Sequence, residues 1–139
     1  MTPDEARSRF VEARVAHLAT VDGDGAPHIV PITFAVEGDR IYTAADAKPK
    51  RGGPLRRFTN VADNPRVSVL VHAYDDDWSR LWWARADGEA SVLSTGASLK
   101  HATELLQARY PQYSETALTG PAMVIRVDRW SGWSAASLV

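Results

Sequence analysis

Hydrophobic and polar positions alternate along most of this chain, and the period of the alternation switches at a few punctuation marks. Ala6, Phe10, Val11 and Ala13 recur at helical spacing. They follow Thr2-Pro-Asp-Glu5, a capping box with proline at the first helical position, so a helix is expected near residues 3–14. Residues 15–21 read as a strand, Asp22-Gly-Asp-Gly25 as a turn and residues 28–36 as a second strand, together a hairpin. A tight turn at Glu37-Gly-Asp39 leads into a third strand over 40–44. A helix is predicted over about 54–63, stopped by Asn64-Pro65. Residues 67–72 alternate and are rich in β-branched side chains, the pattern of a buried strand. After the acidic turn YDDDWS at 74–79, residues 81–93 form a long strand with a bulge or bend at Ala86-Asp-Gly88. Leu99, Ala102, Leu105, Leu106 and Arg109 set the face of a helix over 96–110. A loop over 111–121 precedes two last strand segments, 123–128 and 130–135.

Six or seven strands joined mostly by short turns, with three helices, predict a mainly β (α+β) architecture: an antiparallel barrel with helices at its edges. The 139 residues fit one domain, 1–139, with no internal repeat, low-complexity segment or linker.

Composition sharpens this picture mainly through its unevenness. The formal net charge is −1, so nothing drives the whole chain toward nucleic acid. Yet Lys48, Lys50, Arg51, Arg56 and Arg57 lie within ten residues that hold no acid, which leaves eleven bases against seventeen acids elsewhere. A local basic patch of this kind suits a small anionic ligand better than a polyanion. It joins the third strand to a helix, and helix starts also favour negative charge. Bases at a helix start oppose its dipole, and such conflicts with local preference concentrate at functional sites.

The chain has no cysteine, which excludes disulfides, thiolate catalysis and Cys-based zinc sites. It holds no apolar run of membrane-spanning length, and its first residues read as a charged helix rather than a signal peptide, so a cytoplasmic protein with no membrane partner is expected. The templates of serine-nucleophile elbow, zincin, dinucleotide fold and P-loop are absent. His17, His28, His72 and His101 show no ligand spacing, DGDG lacks the remaining ligands of a calcium loop, and Asp75-Asp76-Asp77 reads as a solvated turn, so no metal is expected. Trp78, Trp82, Trp83, Trp130 and Trp133 form two clusters that suit a core, a subunit interface or a flat ligand. An anion clamp beside a planar apolar surface is compatible with a flavin-like cofactor.

Three stretches carry a resemblance: HLATVDGDGAPHIVPITFAVEGDRIYTA, KPKRGGPLRRFTNVADNPRVSVLV and YDDDWSRLWWARADGEASV. In this order they resemble the pyridoxamine 5′-phosphate oxidase-like split β-barrel superfamily, and within it the actinobacterial branch that uses the deazaflavin coenzyme F420. The resemblance runs over about residues 5–135 and implies an FMN-binding split-barrel type of fold. It implies a homodimer with the cofactor at the interface, touching both chains. By position, the phosphate clamp would comprise Lys48, Pro49, Lys50, Arg56, Arg57 and Asn60, with Thr43 and Ala44 giving backbone or hydroxyl contacts. Pro31, Ile32 and Thr33 would lie along the ring system, and Trp78 would come from the other subunit. The implied activity is hydride transfer between reduced F420 and an electron-poor small molecule, with His28 or Tyr74 as candidate proton donors. The alternatives are an FMN-binding oxidoreductase of the same fold and a non-catalytic F420-binding or carrier protein. The substrate-binding arginine and histidine motif at the C-terminal end of pyridoxamine phosphate oxidases has no counterpart in the final WSGWSAASLV, which argues against that substrate.

Overall fold

The structure, a computed structural model, describes residues 1–45, 55–115 and 118–138. Helix α1 (Pro3–Glu12) opens with the expected capping box: the Thr2 hydroxyl accepts from the Glu5 N–H, and the Glu5 carboxylate accepts from the Thr2 N–H at 2.8 Å. Its Ala6 and Phe10 are fully buried, and the Phe10 ring meets Phe34 and Trp130 edge-on. Strands β1 (Ala16–Val21) and β2 (Pro27–Ile32) form the first hairpin. The Asp22 carboxylate accepts from the N–H groups of Asp24 and Ala26 and so builds the turn.

The remaining strands are β3 (Ala35–Glu37), β4 (Arg40–Ala44), β5 (Arg66–Ala73), β6 (Trp82–Leu93) and β7 (Ala122–Ser134). All seven pair antiparallel in the order β2-β1-β5-β6-β7-β4-β3. The two edge strands, β2 and β3, are joined by Thr33 and Phe34 alone. Three Cα steps reach at most about 11 Å, whereas seven flat strands would set the edges about 29 Å apart. The sheet must therefore curl until its edges meet, which is the split barrel.

Four side-chain hydroxyls stitch the seam. The Tyr110 hydroxyl accepts from the Phe34 N–H and lies 2.9 and 3.0 Å from the carbonyls of Arg14 and Phe34. The Thr43 hydroxyl donates to the Thr33 carbonyl, and the hydroxyls of Thr33 and Tyr113 are 2.6 Å apart. The expected second strand over 28–36 is thus two strands at opposite edges. The expected last two segments are, conversely, one strand. Between Asp87 and Gly88 the β6–β7 register slips by one residue, leaving Asp128 as a bulge. Near this slip the Val127 N–H donates to the Asp39 carbonyl and the Trp130 indole to the Asp39 carboxylate.

Phe10, Leu18, Phe34, Ile41, Val69, Val71, Met123 and Ile125 fill the barrel. Helix α2 (Arg56–Asp63) adds Phe58 and Val61 to that core. Helix α3 (Gly96–Arg109) lays Ala102 and Leu106 over Tyr42, Ala44 and Ala122, a second apolar cluster outside the barrel wall. Among the described residues no helix is long and apolar enough to cross a membrane.

Candidate cofactor-binding site

Helix α2 starts in a way that α1 does not. Leu55, its N-cap, is extended and no side chain caps the helix. The first backbone bonds run from Phe58 and Thr59 to the Leu55 carbonyl, so the N–H groups of Arg56 and Arg57 lie ahead of the helical ladder. Its first turn carries no acid. The apolar residues Leu55, Phe58 and Val61 anchor the helix in the barrel and hold this end in place. Arg56 is exposed, and Arg57 is half-buried with its guanidinium 5.4 Å from the Phe58 ring centre. Two cationic side chains at a positive dipole end make a donor set that fits a phosphate or carboxylate.

The same end of the barrel holds three polar residues, two of them buried. The Asn60 amide donates to the Thr20 hydroxyl at 2.9 Å, and both residues are buried. His28 lies directly across from Thr20 in the β1–β2 register, which brings the two side chains to the same face. Its Nδ1 is buried with no hydrogen-bond partner among the described residues. Nearby, the N–H groups of Ala26 and Asp24 hold the Asp22 carboxyl below its ordinary range, and the Arg56 charge adds to this. Asn60 therefore braces α2 on β1, with its amide directed into the protein.

The other expected residues fall into separate groups. Thr33, Thr43 and Ala44 meet at the β2–β3 seam, where Thr43 is fully buried and Ala44 nearly so. Ile32 points into the core, and Pro31 faces outward from edge strand β2. Lys48, Pro49 and Lys50 lie outside the described residues. Trp78 and Tyr74, 69% and 68% exposed, sit on the connection between β5 and β6. There Asp77 accepts from the Ser79 hydroxyl and N–H, which lowers its carboxyl pKa, and Asp75 pairs with Arg80. Among the described residues no three His, Cys, Asp or Glu side chains converge on a metal-sized site.

Tyr74 also rims a cleft of about 560 Å³ whose walls include His72, Trp82, Trp83, Arg85 and Trp133. Sequence reasoning clustered these tryptophans but not around a cleft, because the β6–β7 register that pairs Trp83 with Trp133 depends on the bulge. It also missed Thr20 and Tyr113, the partners of Asn60 and Thr33, which come from distant parts of the chain. No local pattern carries such a signal.

The chain belongs to the pyridoxamine 5′-phosphate oxidase family, whose sequence profile matches residues 2–134. That places this curled antiparallel sheet in an oxidoreductase-type family with a flavin-type cofactor. Over 54 residues the chain is 39% identical to the 5a,11a-dehydrotetracycline/5a,11a-dehydrooxytetracycline reductase of Streptomyces rimosus subsp. rimosus. The match covers 39% of this chain and 37% of that protein, so it spans little more than a third of the relative's length. Among solved structures, a conserved hypothetical protein from Mycobacterium tuberculosis superposes with a TM-score of 0.78 at 22% identity, over 99% of this chain and 88% of that one. A FAD-binding protein from Mesorhizobium loti does so with a TM-score of 0.76 at 21% identity, over 95% and 94%. At these identities both speak for the fold alone.

Proposed function

We propose that this protein is a cytoplasmic, F420-dependent oxidoreductase acting on an electron-poor small molecule, as a homodimer with the cofactor between the chains. The observation that carries the reading is the start of α2, where Arg56 and Arg57 stand at an uncapped helix end against their own dipole preference. In sequence this end continues the bases Lys48, Lys50 and Arg51, and so gives more positive charge than one phosphate requires. A deazaflavin with a phosphate and a glutamate tail uses that surplus; FMN, with a phosphate alone, does not.

Reduced F420, when bound, supplies the hydride. The protein's part is to bind, orient and exclude water. Arg56, Arg57, Lys48 and Lys50, with Pro49 between the lysines, would hold the anionic end. Asn60 would keep α2 seated through Thr20. Pro31, Ile32 and Thr33 would border the ring system, with Thr43 and Ala44 beside them and Thr33 held by the Tyr113 hydroxyl. His28 and Tyr74 are the candidates for moving a proton.

A length supports the dimer. Helix α2 precedes β5 and Trp78 follows it, so the eight residues of β5 separate them. That is roughly 26 Å of strand. If Trp78 covers a cofactor clamped at α2, it belongs to a second copy.

FMN is the second reading, favoured by the family itself and by the FAD-binding neighbour. Turnover tests the proposed activity: reduced F420 is offered with nitro, quinone, enone and tetrapyrrole acceptors, and its oxidation is followed by absorbance. Oxidation faster than in the protein-free control is expected with at least one class. F420 binding without any oxidation would point to a carrier.

A further inference from the structure

The four histidines occupy three settings. His28 lies across from Thr20, and His101 is bonded to Glu37 at 2.8 Å. His17 and His72 face each other. In the β1–β5 register His17 is opposite Leu70, so His72 is its diagonal neighbour two residues on. Both side chains lie on the outward face, opposite to the buried Leu18 and Val71 beside them. Their ring centres are 6.0 Å apart and their planes are tilted by 31°. One tetrahedral ion bound to two imidazoles at metal–nitrogen distances near 2.0–2.1 Å sets the ring centres about 5 Å apart. The observed separation is therefore within about 1 Å of a chelating arrangement. Small rotations of the two side chains, one of them exposed, close that gap.

We infer that His17 and His72 form a two-histidine site for a divalent transition-metal ion, zinc or copper, on the outer face of the sheet. Three features of the surroundings support it. The backbones that carry the ligands are adjacent paired strands, so the pair is held together before any ion arrives. Trp83 lies across from His72, and His72 lines a cleft together with Trp83, Trp133 and Tyr74, so one ligand stands beside an apolar wall. The cation on the same face, Arg85, has its Nε 3.1 Å from an Asp87 oxygen, which offsets the charge that would oppose an incoming ion. No third His, Cys, Asp or Glu converges on the pair among the described residues, so two coordination positions remain open to water or another ligand. Both ligands come from one chain; His17 lies across from Pro31, so the pair adjoins the face proposed for the ring system, but metal binding to the cofactor-free protein is read without that cofactor.

The test uses tag-free full-length protein titrated calorimetrically with zinc chloride and with copper chloride. Saturable binding is expected, weakened at least tenfold by His17→Ala and by His72→Ala and unchanged by His101→Ala. His17→Asn and His72→Asn, which keep a polar side chain of similar reach, should repeat the loss, with circular dichroism showing an intact fold. Electron paramagnetic resonance of the copper form should show two coupled imidazole nitrogens. Absence of saturable binding, or binding that survives in the double His17→Ala/His72→Ala protein, would overturn the inference.

Discussion

Arg57 is where charge and burial meet in this protein, since it is half-buried beside Phe58 at the start of a helix that disfavours cations. Arg57→Ala is expected to weaken cofactor binding by about 1.5–3 kcal/mol, the range for a charge-assisted hydrogen bond. Unchanged affinity would mean that Arg57 does not hold the cofactor. Two residues along the same barrel end, Thr20 and Asn60, make a different prediction. Thr20→Val leaves the buried Asn60 amide without its acceptor, which should cost about 1–3 kcal/mol in urea unfolding. Asp22 makes a third, about acid. Its carboxyl is held below its ordinary value near 3.8, first by the Ala26 N–H and then by the Asp24 N–H. A folded-state pKa lowered in this way contributes stability above the ordinary value, and that contribution is lost as pH falls through the lowered one. Asp22→Asn should therefore flatten the decline in the urea midpoint below about pH 4. An equally steep decline in the variant would assign the acid sensitivity to other groups. At this scale the sequence made Arg56 and Arg57 legible through charge alone. Thr20 and Tyr113 were hidden, because their roles arise from pairings across the fold.

The element that decides the architecture is the connection of β2 to β3. Residues 28–36 read as one strand because their alternation never breaks: Val30, Ile32, Phe34 and Val36 all contribute to the barrel core. The period reports which side faces inward, and the inside is the same at both edges of a curled sheet. It cannot report that the strand changes partners at Thr33 and Phe34. The helices were legible for the opposite reason, since the α1 cap and the Asn64-Pro65 stop are local chemistry. The seam depends on Tyr110, and Tyr110→Phe removes the acceptor of the buried Phe34 N–H. A loss of about 1–3 kcal/mol is expected by denaturant titration. The bulge imposes a second constraint. A Cβ at Gly88 would lie 2.1 Å from the Arg126 carbonyl oxygen and 2.9 Å from its carbon, both backbone atoms. Gly88→Ala should destabilise at or beyond the upper end of the about 1–3 kcal/mol typical of overpacking. A near-neutral result would show that β7 can shift away at this point.

At the scale of the whole molecule, the fold was readable in advance, and the assembly of the proposed site was not. Charge pointed to the proposed clamp, and the strand pattern located the barrel. The tryptophans, in contrast, could be placed only as clusters. The structure puts Trp78 on the exposed β5–β6 connection, at the other end of β5 from α2. A clamp at one end and an aromatic cover at the other, as proposed, would be reconciled by two copies of the chain. Sedimentation at micromolar concentration should accordingly give a dimer, and a monomer would separate Trp78 from the cofactor site. The central claim concerns which cofactor the basic end holds. It is tested most directly by titrating the purified protein with F420 and with FMN in parallel, following tryptophan fluorescence. Tighter binding of F420, lost together with the arginines of α2, is the predicted result. Tighter binding of FMN would contradict it.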